Sequence, residues 1–197
     1  MKNILLLQTD RIKKTKEIAD LFTRLNTNNN KVSSAYILDI SGIEKNRPTL
    51  SLHQYTHRWF DTIVDAGCHH IGDVVDSILA GANIVVIRPD LWEEPDFRSI
   101  RDISQTHIYI WYDPLKKNNE NTKSPLLTSE PDGIIFYADH LEAPLSFDIR
   151  EKLKTMISIH GTKNVFVFDS LKKHEKEWNQ YGMNTLIVDK KKIEESL

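Results

Sequence analysis

The amino-acid sequence predicts an α/β fold, a compact (β/α)8 barrel with shortened loops and a short last helix. Short apolar runs alternate with amphipathic helical segments, which is typical of a parallel sheet. In the stretch from Ala35 to Pro89, two apolar runs each end in an aspartate, and a helix that ends at a glycine leads into a third run. There are eight such runs along the chain, which favours a closed barrel over the alternative, a doubly wound open sheet.

The predicted strands are rich in isoleucine, valine, tyrosine and phenylalanine, and several are continuously apolar. Strands that are buried on both faces of a parallel sheet have this pattern. In chain order the predicted strands are Asn3–Leu7, Ala35–Leu38, Thr62–Val64, Ile84–Ile87, His107–Tyr112, Gly133–Tyr137, Asn164–Phe168 and Thr185–Val188.

Between the strands, apolar residues recur at helical spacing, so each predicted helix has one apolar face. A glycine follows two of these helices directly and marks their ends. The predicted helices are Lys14–Leu25, Ile71–Ala80, Phe147–Ile157, Leu171–Tyr181 and a stub at Lys191–Leu197. A polar turn is expected at Thr27–Lys31, and a polar loop at Lys116–Lys123 with a short or missing helix before Asp132.

Length, charge and cysteine content exclude several classes of protein. The chain has 197 residues, a net charge of -2 and one cysteine. We expect a single domain over residues 1–197, with trimmed connections because a barrel usually takes about 250 residues. The charge argues against nucleic-acid binding, the lone cysteine excludes an internal disulfide, and the apolar runs are too short to span a membrane. The N-terminal segment lacks a cleavage signal and is interpreted as the first strand, so a cytoplasmic protein is expected.

Two motifs resemble the family of barrels that act in histidine biosynthesis. Asp39-Ile40-Ser41-Gly42-Ile43 follows the second strand, where the family has Asp-(Leu/Ile)-x-x-Ile. Asp65-Ala66-Gly67 ends the third strand, where the family has Asp-Gly-Gly, and the next helix ends in Ala80-Gly81-Ala82. More specifically, the chain is similar to archaeal and methylotroph relatives of the histidine-pathway isomerase that lie outside histidine synthesis. Those relatives are often associated with one-carbon (pterin) cofactor metabolism.

The chain departs from this family at several functional positions. The resemblance implies an acid–base pair of aspartates after strands one and five. Asp113 matches the second aspartate, but Gln8 stands at the first position, with Asp10 two residues later. Ala138 replaces a threonine after strand six, and Arg88-Pro89 replaces Gly-Thr after strand four. The glycines that bind phosphate after strands seven and eight are missing from FVFDSLKK and LIVDKKKI, so isomerisation of the histidine intermediate is not expected.

Acidic side chains nevertheless follow most of the predicted strands. The carboxyl ends of barrel strands meet at one mouth, where barrel enzymes have their active sites, so we expect these side chains to converge. Converging carboxylates raise one another's pKa and can divide into an acid and a base, or they can bind a hard cation, an alternative that the sequence leaves open. The predicted catalytic residues are Asp113 with Asp39 or Asp10, and the predicted substrate-binding residues are Asp65, Gly67, Arg88, Asp139, His140 and Asp169.

Many of these residues also have an ordinary structural explanation. Aspartate is a frequent helix N-cap after a strand, as in Asp169-Ser170. Cys68 is expected to be a buried, inert thiol, although it could act as a nucleophile. His53 is interpreted as a surface or capping residue. Lys172-Lys173 are interpreted as solvated side chains, with the alternative that their charges replace the missing phosphate-binding glycines.

The sequence therefore predicts a small-metabolite enzyme of this barrel family, with isomerase- or lyase-type acid–base chemistry on a polar or phosphorylated metabolite. The alternative is a non-catalytic barrel that acts as a binding or scaffold protein. The expected partner is a small-molecule substrate, with neither nucleic acid nor a membrane, and a homo-oligomer is left open. His69 and His70 could ligate a metal ion, but no HxxxH or CxxC spacing supports this, so neither a metal nor a cofactor is predicted.

Overall fold

The computed structural model, which describes residues 1–12, 14–27, 32–116 and 130–195, contains a closed barrel of eight parallel strands in sequence order. The strands are β1 (Lys2–Gln8), β2 (Ser34–Leu38), β3 (Asp61–Asp65), β4 (Ile84–Ile87), β5 (His107–Tyr112), β6 (Gly133–Tyr137), β7 (Val165–Phe168) and β8 (Thr185–Asp189). Lys2 pairs with Thr185 and Leu6 with Asp189, which closes the barrel between β1 and β8. The predicted (β/α)8 fold is confirmed, and the open sheet is excluded.

The helices of the described residues lie in the connections between strands. They are α1 (Lys16–Asn26), α2 (Ile40–Lys45), α3 (Leu50–His57), α4 (Ile71–Leu79), α5 (Phe97–Ile103), α6 (Phe147–His160), α7 (Glu175–Gln180) and α8 (Lys190–Glu194). The sequence pattern does not single out α2, α3 or α5, because six to eight residues give little periodicity. The turn expected within residues 28–31 and the loop and short helix expected within residues 117–129 lie outside the described residues.

The barrel interior is filled by apolar and aromatic side chains, and a second apolar layer lies between the strands and the helices. The interior side chains come from alternate positions of the strands, as the period of a strand requires. They are Ile4, Leu6, Tyr36, Ile63, Val86, Tyr109, Trp111, Ile135, Phe168 and Ile187. Because this interior is a packed core, the barrel is not a pore, and the inward side chains at the carboxyl ends of the strands are the ones that face the mouth.

The same alternation decides where each aspartate at a strand end points. Asp39 comes three residues after Tyr36, which points into the barrel, so Asp39 points outward to the helices. Asp169 comes directly after the inward Phe168 and also points outward. The aspartates in inward register are Asp65, Asp113, Asp139 and Asp189. The sequence expectation that all these carboxylates face one mouth therefore holds for only part of the set.

Candidate functional site

Asp39 lies outside the mouth, in a buried network between β2 and helices α2 and α3. It caps α2 by accepting a hydrogen bond from the backbone N–H of Gly42 (3.2 Å). It also accepts from the N–H and Oγ1 of Thr49 (2.6 and 2.7 Å), from Nε2 of His53 (2.9 Å) and from Oγ1 of Thr9 (3.1 Å). The carboxylate is fully buried. Protein donors thus surround this carboxylate, which supports a structural role for Asp39, and nothing in this placement supports the predicted catalytic one.

His53 is a buried partner of Asp39 and not the surface residue that the sequence suggests. Burial raises the pKa of Asp39, but the hydrogen bonds from His53, Thr49 and Gly42 outweigh burial and hold that pKa well below its usual value. The sequence gives little sign of this network, because His53 lies on α3 and the hydrophobic periodicity does not reveal that helix. Asp39 therefore remains a carboxylate throughout the ordinary pH range.

Asp169 is the second buried, outward-pointing aspartate. It accepts hydrogen bonds from the backbone N–H groups of Lys173 (2.9 Å) and His174 (3.0 Å) and from Nε1 of the buried Trp178 (2.9 Å). These bonds hold residues 170–174 as a loop, which is why α7 begins at Glu175 and not at the predicted Leu171. The substrate-binding role predicted for Asp169 has no support from this placement.

Gly67 serves the packing of the loop after β3 against α2. Its φ angle is +71°, and a Cβ atom at this position would lie 2.6 Å from the Cα of Ile43. The left-handed backbone and the close approach both favour glycine. The match of Gly67 to the family motif thus has a steric reason, independent of the substrate-binding role that the sequence suggests.

Cys68 is buried beside this loop, and burial raises the pKa of its thiol to about 12. The thiolate is the reactive form of cysteine. We expect iodoacetamide at pH 8 to alkylate Cys68 in the native protein at least about a hundredfold more slowly than in the unfolded protein. Mass spectrometry of samples quenched over time, with and without denaturant, measures both rates. Equal rates would show that the native thiol is accessible and contradict an inert Cys68.

Asp65 and Arg88 form a buried ion pair at the mouth. Arg88 Nε lies 2.9 and 3.1 Å from the two carboxylate oxygens of Asp65, and Arg88 Nη2 lies 2.7 Å from Oδ2. The hydroxyl of Tyr36 donates a fourth hydrogen bond to the Asp65 carboxylate (2.6 Å). Burial lowers the pKa of Arg88, but the charge of Asp65 outweighs burial and raises it above its usual value. Asp65 thus orients Arg88, and its own oxygens are turned to protein donors.

A row of stacked side chains continues from Arg88 across the mouth. The Cζ of Arg88 lies 4.2 Å from the ring centre of Trp111, and the Trp111 and Tyr137 rings are 4.7 Å apart. Tyr137 stacks on His140, again at 4.7 Å, and His140 Nε2 lies 3.2 Å from Oδ1 of Asp113. We call these five residues the mouth column. It links two predicted site residues, Arg88 and Asp113, through aromatic rings that no sequence motif signalled.

Asp139 lies beside this column. It accepts hydrogen bonds from the N–H of Ser170 (2.5 Å) and from its hydroxyl (2.7 Å), while Lys173 Nζ binds the backbone carbonyl of Asp139 (2.6 Å). Burial and the charge of Asp169 raise the pKa of Asp139, and the Ser170 bonds and Lys173 oppose them only in part. Burial and the charges of Asp139 and Asp113 also raise the pKa of Tyr137. The mouth therefore holds a carboxyl that is easier to protonate than usual.

The structure brings together only part of the predicted site. The predicted residues that meet at the mouth are Asp65, Arg88, Asp113, Asp139 and His140. Asp10 is exposed in a short turn, Thr9–Arg11, directly after β1. Lys173, interpreted from sequence as solvated, also contacts this site through Asp139. In the described part of the chain, no group of three or more His, Cys, Asp or Glu side chains is arranged to hold a metal ion.

A cavity of about 710 Å³ adjoins the mouth between α1 and α8. It reaches Gln8 and Asp189 at the ends of β1 and β8, and its apolar wall includes Ile18 and Leu21 of α1. Helix α8 has only five residues, so it covers little of α1. The volume falls within the range of about 300–1,000 Å³ that is usual for small-molecule sites. None of the described helices is both long enough and apolar enough to cross a membrane.

Comparison with known proteins identifies the fold. No protein-family model matches the chain, and no curated protein matches it. A mutant tryptophan synthase α-subunit from Pyrococcus furiosus is similar in structure, with a TM-score of 0.61, 11% identity and coverage of 98% of this chain and 88% of that chain. A dihydrodipicolinate synthase family protein from Coccidioides immitis gives a TM-score of 0.58 and 13% identity, over 94% of this chain and 65% of that one.

A citrate synthase variant is a third similar structure, with a TM-score of 0.51, 10% identity and coverage of 95% of this chain and 84% of that chain. At such low identities the likeness shows the barrel fold alone. It supports a TIM barrel and does not single out the histidine-biosynthesis family.

Proposed function

We propose that the chain is a small-metabolite enzyme related to the histidine-biosynthesis barrels, with acid–base chemistry of isomerase or lyase type at the barrel mouth. The observation that carries this proposal is the contact between Asp113 and His140, beside a carboxyl of raised pKa at Asp139. The substrate is a polar or phosphorylated metabolite. A place in one-carbon (pterin) metabolism follows from the sequence resemblance alone and belongs to this proposal.

The geometry suits His140 and Asp113 to proton transfer. The side chains are 30% and 14% exposed, so a bound molecule can reach both, and the 3.2 Å contact lets the carboxylate orient the imidazole. A histidine held in this way takes a proton from a substrate carbon or hydroxyl. Asp139, whose pKa is raised, is suited to supply a proton on the neighbouring side. Asp10, exposed after β1, is the alternative acid–base partner.

A non-catalytic barrel remains the second candidate. Its support is that Asp39, Asp65 and Asp169 are buried among protein donors and stabilise the fold. A screen of polar and phosphorylated metabolites by thermal shift distinguishes the two functions, because a bound molecule raises the melting temperature in either case. Each stabilising molecule is then incubated with the protein and analysed by mass spectrometry. Conversion supports the enzyme, and stabilisation without conversion supports the binding protein.

We expect no measurable isomerisation of the histidine-pathway aminoaldose. That reaction needs a carboxyl group on each side of the sugar, and Gln8 lies at the end of β1 where the family has the first carboxylate. Loss of one acid–base group costs about 10²–10⁴-fold in rate. The measurement is complementation of a strain that lacks the isomerase, with a direct assay of purified protein. Growth without histidine would refute the expectation and make Asp10 the first residue to mutate.

A further inference from the structure

We propose that the substrate of the mouth carries an oxyanion group, a carboxylate or a phosphate, and that Arg88 binds it through the solvent-facing edge of its guanidinium. This inference rests on the proposed function, because it concerns the substrate of the same mouth. It assigns Asp65, Tyr36 and Trp111 to the positioning of Arg88.

The contacts of Arg88 leave one edge of the guanidinium open. Asp65 occupies the edge formed by Nε and Nη2, and Trp111 covers a face at 4.2 Å. Nη1 donates no hydrogen bond within the described residues. In that part of the chain, the side-chain nitrogens that are buried and lack a partner belong to His53 and His174. Arg88 Nη1 is not one of them, so it reaches solvent. The Arg88 side chain is 12% exposed in total, and its inward register, two residues after the interior Val86, places it at the mouth.

An oxyanion is the group that this edge fits best. The guanidinium fork presents parallel N–H donors and no acceptor, which matches two oxygens of a carboxylate or phosphate. Because Asp65, Tyr36 and Trp111 already hold the side chain, binding costs little further loss of side-chain freedom. The negative charge of Asp90 also acts on Arg88 and helps to raise its pKa. Lys116 Nζ donates a hydrogen bond to Asp90 (2.8 Å), so this carboxylate already has a cationic partner.

Arg88 also provides a charge where the resembling family has glycine. The chain lacks the glycines that would let backbone N–H groups cradle a phosphate after strands seven and eight. A fixed guanidinium binds the same kind of group through a side chain, from a different strand.

The mouth column sets the size of the substrate. Arg88 lies at one end of the column and His140 at the other, with the rings of Trp111 and Tyr137 between them. In this inference the oxyanion binds Arg88 and the reacting atom meets His140, so the substrate lies along the two rings between them. The inferred substrate is therefore an extended metabolite with its anionic group several bonds from the reacting atom.

The test is titration of the full-length protein with inorganic phosphate and with acetate, against sodium chloride at matched ionic strength. Side-chain Nε–H signals in NMR spectra report binding at arginine, and the melting temperature reports it independently. We expect phosphate or acetate to shift the Arg88 signal saturably, and the two arms identify which oxyanion is preferred. No saturable shift with either anion would overturn the inference.

Variants show whether Arg88 is responsible. The double variant Asp65→Asn/Arg88→Gln removes both buried charges together and is expected to raise the Kd of the anion at least about tenfold. Arg88→Lys keeps the charge and loses the fork, so it tests the inference if the double variant does not fold, with an expected rise of at least about fivefold.

The matched control is Asp132→Asn/Arg101→Gln, a second Arg–Asp pair (2.5 Å) at the opposite end of the barrel. We expect its Kd to stay within about twofold of the parent value. Unchanged binding by the Arg88 variants, or equal loss in the control, would overturn the inference. If the protein turned over a metabolite but bound neither phosphate nor acetate, the inference would be overturned and the proposed function would stand. If it bound the anions but turned over no metabolite, only the proposed function would be contradicted.

Discussion

Replacement of Asp39 by alanine is expected to lower the free energy of unfolding by about 3–5 kcal/mol, or to prevent folding. The variant leaves the buried donors of Thr49, His53 and Gly42 without their acceptor, and each orphaned buried donor costs about 1–3 kcal/mol. It also removes the N-cap of α2. Urea unfolding followed by circular dichroism measures the change.

Asp10→Ala is the matched control, because Asp10 is an exposed aspartate after the preceding strand. We expect it to change the free energy of unfolding by no more than about 0.5 kcal/mol. A similar loss in both variants would mean that the Asp39 network is not a special source of stability.

The pH dependence gives a second measure of the same network. The pKa of Asp39 is lower in the folded protein than in the unfolded chain. Its contribution to stability is therefore complete above the unfolded pKa of about 3.9 and is lost as the pH falls toward the folded value. Comparison of wild type with Asp39→Asn isolates this contribution. The difference in unfolding free energy between them should shrink as the pH falls below about 4, and a constant difference would contradict the assignment.

The fold could be predicted from the sequence because its signal is repeated. Each strand is a short apolar run in the same rhythm, and the observed bounds differ from the predicted ones by only a residue or so, as for Ser34–Leu38 against Ala35–Leu38. Helices α2 and α3 were not predicted, because a helix of one or two turns has too few buried residues to show the roughly 3.6-residue period of apolar positions. Without these helices, the sequence could not show that Thr49 and His53 donate hydrogen bonds to Asp39.

The direction of each aspartate could not be predicted for a related reason. Strands of a parallel barrel are apolar on both faces, so the sequence does not show which residues point inward. Asp39 and Asp65 end similar apolar runs, yet Asp39 caps a helix and Asp65 faces inward at the mouth of the barrel. Only the register of the closed barrel separates them. The mouth column depends on the same register, since Trp111 and Tyr137 become neighbours only when β5 pairs with β6.

Replacement of Asp113 by asparagine is expected to lower the kcat for the native substrate by about 10²–10⁴-fold, with a much smaller change in KM. The amide keeps the shape of the carboxyl and the stacking of His140 on Tyr137, but it removes the negative charge that orients the imidazole and stabilises it when protonated. The side chain is partly exposed, so the melting temperature should change little. Steady-state kinetics on a metabolite identified by the stabilisation screen provide the measurement.

His140→Gln is expected to lower kcat to a similar extent, and the double variant should lose little more, because two residues that act as one unit are not additive. Asp61→Asn serves as the control, since Asp61 is the exposed first residue of β3 and lies at the end of the barrel opposite the mouth. It should keep kcat within about twofold of wild type. If Asp113→Asn retained wild-type kcat while Asp10→Asn abolished it, the proton transfer would have to be assigned to the turn after β1. His140 would then be a stacking residue of the mouth column that holds Tyr137 in place, without part in the reaction.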